Sequence, residues 1–517
     1  MLQLFRGSFE GLLTRLQDSE RRAELWPLGL ALLVIVPTTM LTKANRFDGL
    51  YGQDAYAYFD YATGPLRERL LALQGPPPFF WPPGYPLLVA LASLVVGTSP
   101  LAGQVVSLVA AALTPIWTAL LARELWRPDE DARHPSMVPA FAGALVALNG
   151  QLWQSSIVVM ADTTGLAAGT LGVWALARYG DRRRAKWLIL AAGALAYAIL
   201  TRWAYALVAI PATVYALWLL VRGRRGAMLV HGVAGLAIAI AVLWPVIAPA
   251  IAAARLGAVD PAPFSGNFRV CHWDPLNAFR RTLTSADGVQ RYDLHNGLYY
   301  ALTPARSFYL TPLLLLLVVP GAWAALRRRS SAAWLLLAWA GAVYLFEVGY
   351  PHQNPRFALT HLPPLAILAS IGANTVAREL GHRRRPALLA WVMVGIIWMA
   401  IGGTRLTQRF ITRTERYKAM VPWVESLVPD DAQLLTFGLT LTFQHEGELA
   451  VHELYVMEPA DLVQVLNDDR PAYVLLDVTN VQTQWAGKPP AKNYKWLLDG
   501  PGLSVLDSWQ GYTLFRV

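Results

Sequence analysis

Cysteine is nearly absent from this chain. Its single thiol, Cys271, among 517 residues excludes an internal disulfide framework and any multi-cysteine metal site. Charge is scarce as well: only 15% of residues are Asp, Glu, Lys or Arg. Soluble domains carry roughly 25%, so the deficit argues against an ordinary soluble protein. Residues 405–517 hold no Gly-rich phosphate loop, and the chain has no low-complexity segment. No repeat relates its two halves, which weighs against the many transporter folds built from one. The scattered His295, His352 and His361 share no metal-ligand spacing and read as hydrogen-bonded loop or interface residues. No metal or other cofactor is therefore expected.

What is present is apolar length. Hydrophobic residues make up 55% of the chain and the mean hydropathy is +0.36. A segment needs about 20 apolar residues to cross the hydrocarbon core. By that measure about 12 candidate spans stand near 25–42, 84–98, 101–122, 137–155, 163–178, 187–201, 203–222, 228–252, 306–326, 332–348, 357–377 and 387–404. The net charge of +10 is not gathered into a nucleic-acid patch. It sits in short clusters between spans, such as Arg182-Arg183-Arg184, Arg224-Arg225, Arg327-Arg328-Arg329 and Arg383-Arg384-Arg385. Basic clusters mark the cytoplasmic side. Arg21, Arg22, Arg123, Arg127 and Arg133 join them only if one net crossing separates residues 84 and 122. Either the short 84–98 segment does not cross or a further crossing lies nearby, and the total is odd, about 11 or 13.

The expected fold is thus a polytopic α-helical membrane protein with external loops at 43–83 and 253–305. At the N-terminus, Leu2, Phe5, Phe9, Leu12, Leu13 and Leu16 recur at helical spacing among charges, an amphipathic interfacial helix over 1–24. The apolar run that follows lacks a small-x-small cleavage site and is expected to stay as a membrane helix. Residues 25–404 form the membrane domain, and 405–517 change character. Gln433–Phe437 and Tyr473–Asp477 read as strands, Pro459–Leu466 as a helix, and Leu503–Asp507 with Tyr512–Val517 as a hairpin. That alternation predicts a small C-terminal α/β domain outside the cytoplasm.

Four charged residues stand where chemistry is expected. Asp54 lies in Gly52-Gln53-Asp54-Ala55-Tyr56, just beyond the first span. A carboxylate at a bilayer interface can take a proton from an attacking hydroxyl or amine, or simply be an acidic interfacial residue. Asp60 and Asp48 read as structural. Asp162 precedes an apolar helical run, where an N-cap and a functional carboxylate are compatible. Arg202 separates two apolar spans, a setting in which ionisable groups face a cavity or a partner. Arg356 stands at the mouth of another span; a guanidinium fork matches phosphate oxygens, and snorkelling to headgroups is the alternative.

These residues, with their neighbours, resemble the GT-C superfamily of membrane glycosyltransferases, in the branch of protein O-mannosyltransferases and the bacterial lipid A aminoarabinose transferase. The resemblance rests on Asp54 in the first external loop, on Trp81-Pro82-Pro83-Gly84-Tyr85-Pro86-Leu87, and on Arg356 followed by Leu362-Pro363-Pro364-Leu365. Leu200-Thr201-Arg202 adds to it. It spans roughly residues 25–404 and implies a polyprenyl-phosphate sugar donor, inversion at the anomeric carbon, and a lipid, glycan or protein acceptor outside the cytoplasm of a bacterial inner membrane. By the same resemblance Asp54 is the general base, Asp162 a second acidic site residue, and Arg202 and Arg356 the holders of the donor phosphate. The chain departs from the family at Trp81, where relatives often place Lys or His, and at Phe357, where Tyr is usual. The phosphate must then find its charge in Arg202, Arg356, Arg67 or Arg69. No Asp-x-Asp pair stands in the first loop. The rival reading is a non-catalytic transporter or flippase of lipid-linked glycans.

Overall fold

The computed structural model describes residues 19–126, 137–222, 225–255, 264, 266, 272–328, 331–381 and 383–517. The interfacial helix expected at 1–24 lies outside these residues as far as residue 18, as does most of 256–271 in the long loop. A backbone in hydrocarbon must satisfy its own hydrogen bonds, so apolar runs become helices. In chain order they are α1 (Ser19–Ala44), α2 (Gly52–Thr63), α3 (Pro65–Leu71), α4 (Gly84–Val96), α5 (Leu101–Leu125), α6 (Val138–Ala147), α7 (Gly150–Ser156), α8 (Asp162–Arg182), α9 (Ala185–Thr201), α10 (Ala206–Arg222) and α11 (Arg225–Arg255). After the short hairpin β1 (Thr282–Ser285) and β2 (Gly288–Arg291) come α12 (Asn296–Leu302), α13 (Thr311–Leu315), α14 (Val318–Arg327), α15 (Ser331–Gly349), α16 (Leu362–Glu379) and α17 (Arg385–Lys418).

Among the described residues, six helical stretches are long and apolar enough to cross a membrane: Leu25–Ala44, Leu101–Leu125, Trp203–Arg222, Leu229–Arg255, Phe357–Glu379 and Arg385–Glu425. Shorter apolar helices stand among them. The protein is a multi-pass membrane protein, mostly helical, with a small sheet at its C-terminal end. α4 has 13 residues, about 20 Å at 1.5 Å per residue, short of the roughly 30 Å core. Of the two parity solutions offered by the charges, its length fits the one in which 84–98 does not cross. The span expected at 137–155 is broken into α6 and α7. Asn149 breaks it, because its side chain accepts from Leu152 N at 3.0 Å and caps α7. α7 then packs so closely on α17 that a Cβ on Gly150 would lie 2.1 Å from Gly403 Cα, a crossing only two glycines permit.

The helix α17 runs through residue 405 without interruption and hands the chain to α18 (Met420–Glu425). Beyond it lie β3 (Gln433–Thr436), α19 (Thr440–Glu446), β4 (Ala450–Glu453), α20 (Pro459–Leu466), β5 (Ala472–Leu476), α21 (Val478–Thr483), α22 (Pro489–Asp499), β6 (Ser504–Trp509) and β7 (Tyr512–Arg516). The strand order is β4-β3-β5-β7-β6, with β3 parallel to β4 and β5 and the β6–β7 hairpin antiparallel at one side. Gln510 and Gly511 turn that hairpin with φ of 57° and 88°, the left-handed geometry a two-residue hairpin turn requires. β3 and β5 are buried along their whole length, as strands covered on both faces are.

This domain sits on α2. Gln53 Nε2 donates to Glu453 Oε2 at 3.3 Å, Tyr56 hydroxyl to Glu446 Oε1 at 3.2 Å, and His445 Nε2 meets Asp60 Oδ1 at 2.5 Å. Lys418 at the end of α17 bridges Asp48 at 2.5 Å and Glu446 at 3.1 Å. The helix that carries Asp54 is therefore held from above by the C-terminal domain.

Candidate active site

Asp54, Asp162, Arg202 and Arg356 come from four separate parts of the chain and line one small pocket, together with Tyr58, Trp81, Pro82, Met160 and Ala161. Asp54 sits in the first turn of α2, where a carboxylate complements the helix dipole. Its side chain is 45% exposed, and its nearest cation is Arg356, whose Nη2 lies 4.0 Å away. Tyr58 is one helical turn on from Asp54 and joins it in the pocket wall.

Asp162 is placed by the buried, bent run before it. Ile157, Val158, Val159, Met160 and Ala161 are all buried, and Val159 N donates to Gly49 O at 3.0 Å. Gln104 on α5 holds Ile157 O at 2.9 Å, and Thr163 Oγ1 donates to Ser107 O at 2.9 Å. Pinned on both sides, Asp162 becomes the first residue of α8. It does not cap that helix with its side chain. Instead its carboxylate contacts Arg202 Nη1 directly and lies 3.6 Å from Arg356 Nε. At 4% exposure it is the buried member of the acidic pair, facing two guanidinium groups.

Arg202 follows α9, whose end is fixed by a close crossing. A Cβ on Gly84 would meet the Leu200 backbone at 2.7 Å, and Tyr197 hydroxyl donates to Gly84 O at 2.7 Å. Glycine is required at the start of α4 for this approach, which brings Trp81 and Pro82 beside Arg202. The Arg202 backbone is extended (φ −151°), so the chain leaves the helix there and the side chain enters the pocket. Arg356 is set by Asn354, whose Oδ1 accepts its backbone N–H at 2.9 Å. Its Nη1 donates to Tyr51 hydroxyl at 2.9 Å, and Tyr51 packs edge-on against Phe410 at 4.8 Å. Phe357 lies beneath both guanidiniums, 5.7 and 5.8 Å from their central carbons, a contact a ring lacking the hydroxyl can make.

Trp81 stacks on Tyr58 at 4.9 Å and edges against Phe79 and Phe80. It forms an aromatic wall of the pocket and supplies no charge there. Arg67 and Arg69 do not line the pocket; Arg69 Nη1 donates to Gln74 Oε1 at 2.9 Å. The positive charge is thus Arg202 and Arg356. Tyr51 and Tyr58 were not singled out from the sequence, although the one-turn spacing from Asp54 marks Tyr58. His295 hydrogen-bonds Phe279 O, His352 meets Tyr292 and Gln290, and His361 faces Glu347. Among the described residues no three His, Cys, Asp or Glu side chains cluster as metal ligands.

Residues 81–248 match the family described as dolichyl-phosphate-mannose-protein mannosyltransferase. The fold is similar to ArnT from Cupriavidus metallidurans in the apo state, with TM-score 0.58 and 15% identity, covering 93% of this chain and 97% of that one. The same protein bound to undecaprenyl phosphate matches with TM-score 0.56 and 15% identity over 94% of this chain and 98% of that one. The archaeal oligosaccharyltransferase AglB from Archaeoglobus fulgidus, in complex with an inhibitory peptide and a dolichol-phosphate, matches with TM-score 0.56 and 13% identity over 92% of this chain and 71% of that one. No curated protein sequence matches the chain.

Proposed function

We propose that this chain, a GT-C membrane glycosyltransferase of the protein mannosyltransferase and ArnT type, moves a sugar from a polyprenyl-phosphate carrier to an acceptor on the extracytoplasmic side. The observation that carries the reading is the division of charge in the pocket. One carboxylate, Asp54, is half exposed and only loosely paired. The other, Asp162, is buried against both arginines. A base must be open to the acceptor, and a phosphate clamp must be held still.

The reaction is a single displacement. Asp54 takes the proton of an acceptor hydroxyl or amine as that atom attacks the anomeric carbon. The bond from that carbon to the carrier phosphate oxygen breaks, and its electron pair stays on the phosphate. Arg202 and Arg356 stabilise the charge growing there. A phosphate monoester leaves without being protonated, so no general acid is needed, and one in-line displacement inverts the anomeric configuration. Asp162 orients the two guanidiniums. Asp54 then returns its proton to water.

Trp81 stacked on Tyr58, with Phe79 edge-on to both, gives an apolar wall against which the carrier can lie. The acceptor is a lipid, a glycan or a protein, approaching under the C-terminal domain that rests on α2. The reading is tested by incubating purified protein with radiolabelled undecaprenyl-phosphate sugars and a cell-envelope acceptor fraction, beside Asp54→Asn. Transfer by wild type alone supports it. Label that crosses the bilayer while staying on its carrier supports a flippase instead.

A further inference from the structure

Asp54 stands in the first turn of α2, and that turn has little support of its own. A helix start leaves its first N–H groups without intrahelical partners. Tyr51, at the cap position, offers them no side-chain acceptor. Gly52 follows with φ of 54°, and glycine loses the most conformational freedom when it is fixed. A turn of this kind frays unless something outside the helix holds it. Two neighbours of Asp54 supply such anchors. Tyr51 hydroxyl accepts from Arg356 Nη1 at 2.9 Å, which ties the turn to the arginine pair. Gln53 ties it to the C-terminal domain through both atoms of its amide. Its Nε2 donates to Glu453 Oε2 at 3.3 Å, and its Oε1 accepts from Leu441 N at 3.2 Å. The Glu453 carboxylate is fixed in turn: Thr440 Oγ1 donates to Oε2 at 2.8 Å and Gly438 N at 3.4 Å, while Tyr455 N donates to Oε1 at 3.2 Å. Glu453 ends β4 opposite Thr436 at the end of β3, so its side chain gathers the loop that leads into α19.

We propose that Gln53, clasped by Glu453 and the Leu441 amide, is a positioning residue that holds the general base Asp54 in line with the acceptor. The inference rests on the transferase reading and gives the C-terminal domain a part in it. Docking of that domain does not need Gln53. Tyr56 bonds to Glu446, Asp60 meets His445, and Lys418 bridges Asp48 and Glu446. These contacts lie on either side of the Asp54 turn, whereas the clasp acts on the residue directly before the base. Asp54 itself has only a loose partner, Arg356 at 4.0 Å. Its place is therefore set through its neighbours, Tyr51 on the arginine and Gln53 on the domain. A carboxylate that must stay open to an acceptor is best held in this indirect way, because a direct bond would compete with the proton it has to take.

The test measures kcat for sugar transfer, binding of bare undecaprenyl phosphate, and hydrogen exchange over residues 51–57, all on the full-length protein in nanodiscs. Gln53→Ala should lower kcat by about 10- to 100-fold, as small displacements of a reacting group do, and quicken exchange in that segment. Carrier binding should stay as in wild type. His445→Gln loosens the same docking further along α2 and should keep the wild-type kcat, which separates the clasp from docking in general. Gln53→Glu sets two carboxylates against each other and should lower kcat as far as Gln53→Ala does. Adding Glu453→Gln restores a donor facing an acceptor and should return most of the loss. Wild-type kcat in Gln53→Ala would overturn the proposal, as would a double variant no faster than Gln53→Glu, or a fall in kcat matched by an equal fall in carrier binding. A wild type that transfers no sugar would sink the transferase reading, and exchange alone would then decide the clasp: quickening in Gln53→Ala upholds it, and unchanged exchange overturns it.

Discussion

Asp162→Asn separates electrostatics from shape, because asparagine keeps the side-chain outline and removes one negative charge between two guanidiniums. Breaking a buried ion pair costs about 3–5 kcal/mol when the remaining charge is stranded. Here the arginines are 25% and 18% exposed, so water replaces part of the loss and a destabilisation of about 2 kcal/mol is expected. The phosphate site feels the opposite effect. A carrier phosphate about 6 Å from that carboxylate is repelled by 332/(20 × 6), or about 2.8 kcal/mol, at an effective dielectric constant of about 20. Hydration at the open side of the pocket roughly halves this, so bare undecaprenyl phosphate should bind about 10-fold more tightly to the variant. Transfer should nevertheless fall by about 100-fold, since small displacements of positioning groups cost that much. Equilibrium binding of tritiated undecaprenyl phosphate, run beside initial transfer rates, measures both. Carrier binding that is unchanged or weaker in Asp162→Asn would refute the idea that Asp162 balances the arginine pair.

Arg356→Lys keeps the charge but loses the fork that reaches Tyr51 at one nitrogen and faces Asp162 with another. Steady-state kinetics should show KM for the donor raised by about 10- to 100-fold; a variant with unaltered KM would place the phosphate elsewhere. The contact between His445 and Asp60 makes docking of the C-terminal domain depend on pH. The hydrogen bond that His445 donates to Asp60 holds the imidazole above its ordinary value of 6.5, against burial, with the charges of Asp60, Glu446 and Asp48 adding to it. Its contribution is complete below pH 6.5 and is lost as pH rises through the elevated folded value. Both partners are partly exposed, so the effect is about 1 kcal/mol or less. Hydrogen exchange in α2 should quicken as pH rises past that value in wild type and show no such step in His445→Gln.

Most of the helical layout was legible because apolar length is a strong signal. α9, α11 and α15 begin and end within a few residues of the runs at 187–201, 228–252 and 332–348. The α/β alternation of the tail was legible too, and Pro459–Leu466 is a helix at the expected bounds. β4 was missed: Ala450–Glu453 is four residues long with no apolar alternation, and its place at the sheet edge comes from pairing with β3. α6 and α7 were read as one span, since the Asn149 break is a local hydrogen bond that hydropathy does not register. In the site, Asp54, Asp162, Arg202 and Arg356 were conspicuous because a charge beside a long apolar run is costly and rare. Their convergence was not visible from spacing, for it depends on Gly84 meeting Leu200 and on the buried 157–161 segment.

The most direct test of the central claim is transfer of radiolabel from undecaprenyl-phosphate sugars by purified wild type and Asp54→Asn, with carrier binding measured on the same preparations. The account predicts transfer in wild type, a loss of at least about 100-fold in the variant, and binding of bare undecaprenyl phosphate no weaker in the variant than in wild type. Transfer by Asp54→Asn at the wild-type rate would contradict it.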